Sequence, residues 1–161
     1  MRAFVRSLLL VVVVSSAGCG PLVDLTKGLQ VNIVNTGWFD LGIVNGQNKL
    51  VPSVTFTVKN ISDQKLVALQ VQALFRRVGE TEEWGSGFMT AVGSQGLAPG
   101  ATTQPITMRS ERGYTGSDQS RQEMLQNSHF VDGTVELQAK YASSQWARLG
   151  TYPITRQVIT K

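Results

Sequence analysis

The residues that most often carry enzyme chemistry are scarce in this 161-residue chain, which has one cysteine, Cys19, and one histidine, His129. A hydrolytic triad needs a base beside a nucleophile on a sharp turn. The sequence contains no Gly-x-Ser-x-Gly, and the stretch 93–96 is one residue short of that motif and is typical of a turn. A zinc site needs three or four His, Cys or carboxylate ligands. The sequence therefore predicts no catalytic residue, no metal site and no cofactor.

Three other patterns favour loops over ligand sites. The acidic cluster Glu80, Glu82 and Glu83 lacks the alternating aspartates of a calcium-binding loop. The glycine-rich stretches 85–87 and 113–116 lack the strand-to-helix context and the following lysine of a phosphate-binding loop. We interpret the acidic cluster as a solvated loop and both glycine-rich stretches as turns.

The surroundings of Cys19 indicate export. Arg2 and Arg6 give the chain a basic start, residues 4–14 are almost wholly apolar, and residues 15–18 are small. This order is typical of a secretory signal sequence with its cleavage site. A membrane-spanning helix is the weaker interpretation, because a bilayer core of about 30 Å needs roughly 20 apolar residues.

The segment from Ser15 to Cys19 resembles the lipobox of bacterial lipoproteins, although Ser16 stands where that group usually has Leu. The resemblance implies that the thiol of Cys19 is diacylated and that Cys19 becomes the first residue after cleavage. Gly20 follows it in place of the Asp that would favour inner-membrane retention. We therefore expect a lipid anchor in the cell envelope, on the outer membrane facing the periplasm if the cell has two membranes.

The predicted organisation is a signal peptide over residues 1–18, a tether over 19–28 and one domain over 29–161. Two of the 15 Lys and Arg residues lie in the signal, so 13 basic and 11 acidic side chains would remain. The basic residues are scattered, whereas a nucleic-acid-binding surface needs a basic patch. We expect no nucleic-acid partner. A single cysteine also allows no internal disulfide.

Beyond the tether, short segments rich in Val, Ile, Thr and aromatic residues alternate with Gly, Asn, Ser and Asp clusters. This pattern predicts an all-β antiparallel sandwich of seven or eight strands. Residues 66–78 are expected to form the longest, central strand, and Asn45-Gly46 is a strong turn signal. One short helix, capped by Ser117 or Asp118, is expected within 117–128. The remaining strands are expected at 29–35, 38–44, 51–59, 84–90, 104–109, 133–142 and 145–157, with 38–44 either a separate strand or a continuation of the first strand past the break at 35–37.

Phe56-Thr57-Val58-Lys59-Asn60-Ile61-Ser62-Asp63, the alternating segment 67–75 and the turn 96–100 together resemble bacterial immunoglobulin-like accessory domains of the FxLYD type. The likeness covers residues 51–109. It departs from the pattern at 73–76, where Ala-Leu-Phe-Arg stands in place of Leu-Tyr-Asp. The resemblance implies an immunoglobulin-like sandwich in an extracytoplasmic lipoprotein, and it implies no active site.

The loop 109–116 is the best candidate for a contact with a protein partner, because Arg109, Arg112 and Tyr114 are residue types favoured at binding hot spots. We therefore predict a lipid-anchored, non-enzymatic binding or accessory module that meets another envelope protein. Two alternatives stay open: a small envelope hydrolase using His129, and a structural envelope component with no soluble ligand.

Overall fold

The computed structural model of the protein describes residues 22–142 and 144–160. Its two short helices are α1, Leu25–Gly28, and α2, Arg121–Gln126. Neither is long or apolar enough to cross a membrane. The strands of this part of the chain are β1 Leu29–Val44, β2 Gln47–Asn60, β3 Leu69–Arg77, β4 Gly85–Val92, β5 Ile106–Arg109, β6 Tyr114–Gly116, β7 Gly133–Lys140, β8 Ala147–Pro153 and β9 Val158–Ile159.

The strands form two sheets packed face to face. The first sheet has the order β5-β2-β1-β9, and β6 pairs with β2 beyond the end of β5. The second has the order β4-β3-β7-β8. Among the described strands, all pairings are antiparallel except the short parallel pairing of β9 with β1 at Trp38 and Phe39. The chain is therefore the all-β, immunoglobulin-like sandwich that the sequence predicts.

The long β1–β2 hairpin forms the centre of the first sheet. Its turn is at Asn45-Gly46, both with positive φ (51° and 77°), as the sequence predicts. Val54, Phe56 and Val58 of β2 point inward and are fully buried, which follows from the two-residue period of a strand.

The prediction of the longest strand was wrong. β1 has 16 residues and β2 has 14, whereas β3, within the expected 66–78 strand, has 9. Of the two alternatives for residues 38–44, the structure has the continuation: β1 runs past residues 35–37, with a register shift between Ile33 and Asn35 that forms a bulge. The expected central position of β3 is confirmed, since it lies between β4 and β7.

An aromatic cluster fills one end of the core. Trp38 is fully buried, and its ring lies 4.6 Å from that of Phe130, edge to face, and 5.5 Å from that of Tyr114. Trp84 joins the cluster with its ring 5.0 Å from Tyr114. The Nε1 donor of Trp38 is buried and has no hydrogen-bond partner among the described residues.

Two local predictions differ from the structure. Residues 25–28 of the predicted tether form α1, which begins after the N-cap Asp24 and buries Leu25 at 2% exposure. Packing of Leu25 on the core stabilises this short helix. That contact joins residues far apart in sequence, so the local sequence pattern does not reveal it. The one predicted helix, within 117–128, is present as α2, but its N-cap is Ser120, in a reciprocal capping box with Glu123, instead of Ser117 or Asp118.

The C-terminal segment was predicted as one strand over 145–157, but from residue 147 onward the structure has two strands, β8 and β9, in different sheets. β8 ends at Pro153, and after it the chain crosses to the other sheet, where the backbone N–H of Trp38 donates to the carbonyl of Gln157 at 2.8 Å. The small strands β6 and β9 account for the excess over the seven or eight strands expected.

Candidate protein-binding surface

Arg109 ends β5 and is exposed on the outer side of the first sheet. Its Cζ lies 3.4 Å from the centroid of the Phe39 ring, a cation–π contact. Phe39 is only 4% exposed. Arg109 therefore covers an apolar side chain and still presents its charge to solvent, beside an open depression of about 680 Å³ lined by Phe39, Asp40, Leu41, Gly42, Arg109 and Thr160.

Arg112 is exposed on a turn that is tied to the sandwich. Its backbone N–H donates to Ser110 Oγ at 3.0 Å. It borders a different depression of about 300 Å³, whose other lining residues are Glu83, Trp84, Gly85, Ser86 and Glu111. Arg109 and Arg112 thus face separate depressions, and the structure does not bring them together as one surface.

Tyr114 has a structural position that the sequence analysis missed. It begins β6, and its ring belongs to the aromatic cluster with Trp38 and Phe130. Its hydroxyl donates to the carbonyl of Val131 at 3.1 Å and lies 3.2 Å from the Val131 amide nitrogen, whose N–H it accepts. The side chain is half-buried and its hydroxyl is already hydrogen-bonded. Tyr114 therefore holds the 109–116 segment in place and offers little surface to a partner protein.

His129 is exposed just after α2, and its backbone N–H donates to Asn127 Oδ1 at 2.9 Å. It lines a cavity of about 250 Å³ together with Tyr114, Thr115, Gln119, Met124, Asn127 and Phe130. No carboxylate is among these lining residues. Residues 22–142 and 144–160 also contain no cluster of three His, Cys, Asp or Glu residues able to hold a metal ion. The hydrolase alternative stays a prediction.

Cys19 and the signal peptide of residues 1–18 lie outside the described residues. Lipidation of Cys19 therefore stays a prediction from the sequence.

A groove that was not predicted from the sequence lies between β4 and β5, each of which is an edge strand of its sheet. At one end the two strands approach each other closely. A Cβ atom added at Gly85 would overlap Ser110 Oγ, and one added at Gly87 would lie 3.3 Å from Met108 Cε. Glycine is needed where backbones approach this closely. Both glycines lie within β4, so the strand predicted at 84–90 is confirmed and the interpretation of residues 85–87 as a turn was wrong. In the other glycine-rich stretch, residues 114–116 form β6 and are not a turn.

Beyond Gly87 the two strands enclose an open groove of about 760 Å³. Met89, at 38% exposure, lies on one wall, and Ile106, at 6%, belongs to the opposite strand. No ladder joins β4 to β5 in the described part of the chain, so the outer edge of β4 has no strand partner there. The groove is lined by Met89, Ala91, Val92, Gly93, Ser94, Gln95, Gly96, Leu97, Thr102, Thr103, Gln104, Pro105, Ile106 and Thr107, none of which is charged.

Comparison with known proteins gives a structural similarity and no family. No sequence profile of a known family matches the chain, and no curated protein matches it. A solved structure described as the X-ray structure of Northeast Structural Genomics Consortium target SoR45 is similar to the chain. It is 14% identical with a TM-score of 0.46, and the similarity covers 81% of this chain and 88% of that one.

Proposed function

We propose that the protein is a lipid-anchored, non-enzymatic binding module of the cell envelope, and that the groove between β4 and β5 takes an extended segment of a partner protein. The groove is the observation that carries the binding part of this proposal. The basic start, the apolar run and the lipobox-like residues before Cys19 support the anchor.

An extended segment fits because β4 ends the second sheet and has no strand partner on its outer side in the described residues. A peptide that adds to a free strand edge gains main-chain hydrogen bonds, and its alternate side chains enter pockets on one side. Met89 and Ile106 supply apolar surface for those side chains.

The expected segment is uncharged, because the groove lining carries no charged side chain that would pair with a buried ion. Arg109 and Arg112 lie outside the groove and remain proposed as separate contacts with the body of the partner, since both are exposed. Tyr114 is proposed only to hold their loop in place.

The test is photo-crosslinking in intact cells. A photo-reactive amino acid at Met89 is compared with one at Thr151, an exposed position of β8, the strand at the opposite edge of the second sheet. We expect a single defined adduct from position 89 and none from position 151. The crosslinked segment of the partner is then identified by mass spectrometry and synthesised as a peptide.

Binding of that peptide is measured with Met89→Glu and with the matched control Thr90→Glu, which places the same charge on the next residue of β4, where alternation points it to the other face. We expect Met89→Glu to weaken binding at least about tenfold, the cost of a buried unpaired charge. Thr90→Glu should change it little. Equal effects of the two variants, or equal adducts at 89 and 151, would contradict the groove as the binding site.

The anchor is tested separately. Mass spectrometry of the mature N-terminus should find a diacylated Cys19, and Cys19→Ser should release the protein from the membrane fraction. An unmodified thiol would remove the anchor from the proposal.

A further inference from the structure

We propose that the end of the sandwich at which the chain enters the domain rests on the lipid headgroup layer, with Leu22 and Ile61 in contact with it. This surface, the docking end, consists of Leu22, Lys27, Ile61 and Lys65. The proposal rests on the proposed lipid anchor at Cys19 and goes beyond it, because an anchor alone leaves the orientation of the domain open.

Two chain segments meet at the docking end. The backbone N–H of Ile61 donates to the carbonyl of Gly28 at 2.9 Å, which joins the turn after β2 to the end of α1. A Cβ atom added at Gly28 would lie 2.6 Å from Val23 Cγ1 and 3.2 Å from Ser62 Cβ, so residues 22 and 23 lie close to that turn. The first described residues and the turn 60–65 therefore belong to one end of the molecule.

The docking end exposes large apolar side chains. Leu22 is 57% exposed and Ile61 is 51% exposed. The side chain of Lys27 is 86% exposed, and Lys65 is exposed as well. Asp24 and Asp63 offset these two charges, and Asp24 lies 3.7 Å from Lys27 Nζ. The surface is therefore close to neutral, and its attraction to lipid would depend on apolar contact more than on charge.

The length of the chain before Leu22 sets the distance to the membrane. Three residue steps separate Cys19 from Leu22, and they span at most about 11 Å when fully extended. The acyl chains on Cys19 must lie in the hydrocarbon core, and the headgroup layer above the core is about 5–8 Å thick on each side of a bilayer. Leu22 is thus confined within or directly above the headgroups, and the turn that carries Ile61 is held beside it.

The experiment uses the full lipidated protein, reconstituted in phospholipid vesicles in which part of the lipid carries a quencher on its headgroup. A cysteine is introduced by Ile61→Cys and labelled with an environment-sensitive fluorophore. Acylation of Cys19 leaves it unreactive, so a single site is labelled. The matched control is Val78→Cys, because Val78 is 53% exposed and follows β3 at the opposite end of the sandwich.

We expect lipid-borne quencher to reduce the fluorescence at position 61 at least twofold and to leave position 78 unchanged. Nine residues of β3 separate the two ends by about 30 Å, which is beyond the reach of contact quenching. Equal quenching at both positions, or none at position 61, would overturn the docking proposal. Mass spectrometry of the same samples reports acylation of Cys19, so a failure of docking in fully acylated protein is distinct from a failure of the anchor.

Circular dichroism checks that both cysteine variants keep the fold. As a second variant, Ile61→Asn with the fluorophore moved to Leu22→Cys removes the neighbouring apolar contact. We expect quenching at position 22 to persist, because the short link to Cys19 holds it at the membrane. Its loss would contradict the chain-length argument.

Discussion

Substitution of Gly85 by alanine tests whether the close approach of β4 and β5 requires glycine at this position. A Cβ atom at position 85 would overlap Ser110 Oγ and lie 3.1 Å from Ser110 Cβ. Ser110 is only 3% exposed and has little room to move. Its hydroxyl also accepts the backbone N–H of Arg112. Overpacking of this kind costs about 1–3 kcal/mol, and loss of the hydrogen bond adds about 1 kcal/mol.

We therefore expect Gly85→Ala to lower the free energy of unfolding by about 2–4 kcal/mol, which for a domain of this size lowers Tm by about 5–15 °C. The matched control is Gly93→Ala, because no atom lies within 4 Å of a Cβ added there and the φ of Gly93 is not positive. Gly93→Ala should leave the free energy of unfolding unchanged or raise it by up to about 1 kcal/mol, because alanine lowers the conformational entropy of the unfolded chain.

Urea unfolding and thermal melts measure both variants. Combining Gly85→Ala with Ser110→Gly should recover part of the loss, with a coupling energy of about 1–3 kcal/mol in a double-mutant cycle. A Gly85→Ala variant as stable as Gly93→Ala, or a cycle without coupling to Ser110, would show that glycine does not set the spacing of the two edges.

Two further predictions concern single polar side chains. Asn60 is fully buried, and its Nδ2 donates to two backbone carbonyls at 2.8 and 2.9 Å, so Asn60→Asp should be strongly destabilising. The pKa of the new carboxyl would be raised by burial beside two carbonyl oxygens, so melts at pH 5 and 7.5 should show the larger loss at the higher pH; a pH-independent loss would contradict this. Hydrogen bonds from the backbone and side chain of Ser120 lower the pKa of Glu123 below its ordinary value, so its stabilising effect is present at neutral pH and is lost as pH falls through the lowered value. Glu123→Gln should therefore lose less stability than wild type between pH 5 and 3, and identical pH profiles would contradict the capping box.

The two-sheet architecture could be predicted from sequence because its signals are local. Val54, Phe56 and Val58 alternate with polar neighbours, and Asn45-Gly46 adopts the positive φ that its residue types allow. The lengths of the strands could not be predicted in the same way. A bulge lets β1 continue past Asn35, and its register depends on the partner strand.

The candidate site was predicted less well, since it depends on contacts between residues far apart in sequence. Arg109 and Arg112 are exposed as expected, but they face different depressions. Tyr114 was chosen for its residue type, and the tertiary packing that places its ring beside Trp38 has no local signature. Two glycines at alternate positions of a strand, Gly85 and Gly87, were the one signal of the groove in the sequence.

The groove and the docking end are close to each other, and this limits the partner. Residues 93–97 line the groove, and Leu97 pairs with Leu66, directly after the docking-end residue Lys65. If the docking end rests on the headgroups, a segment in the groove enters within a short distance of the same membrane surface. A partner anchored in that leaflet can supply such a segment next to its own membrane attachment, whereas one attached to an opposite surface must extend a free strand across the compartment. The adduct formed at Met89 should therefore map to a residue close in sequence to the partner's own membrane attachment, and an adduct far from any such attachment would show that the two proposals do not hold together.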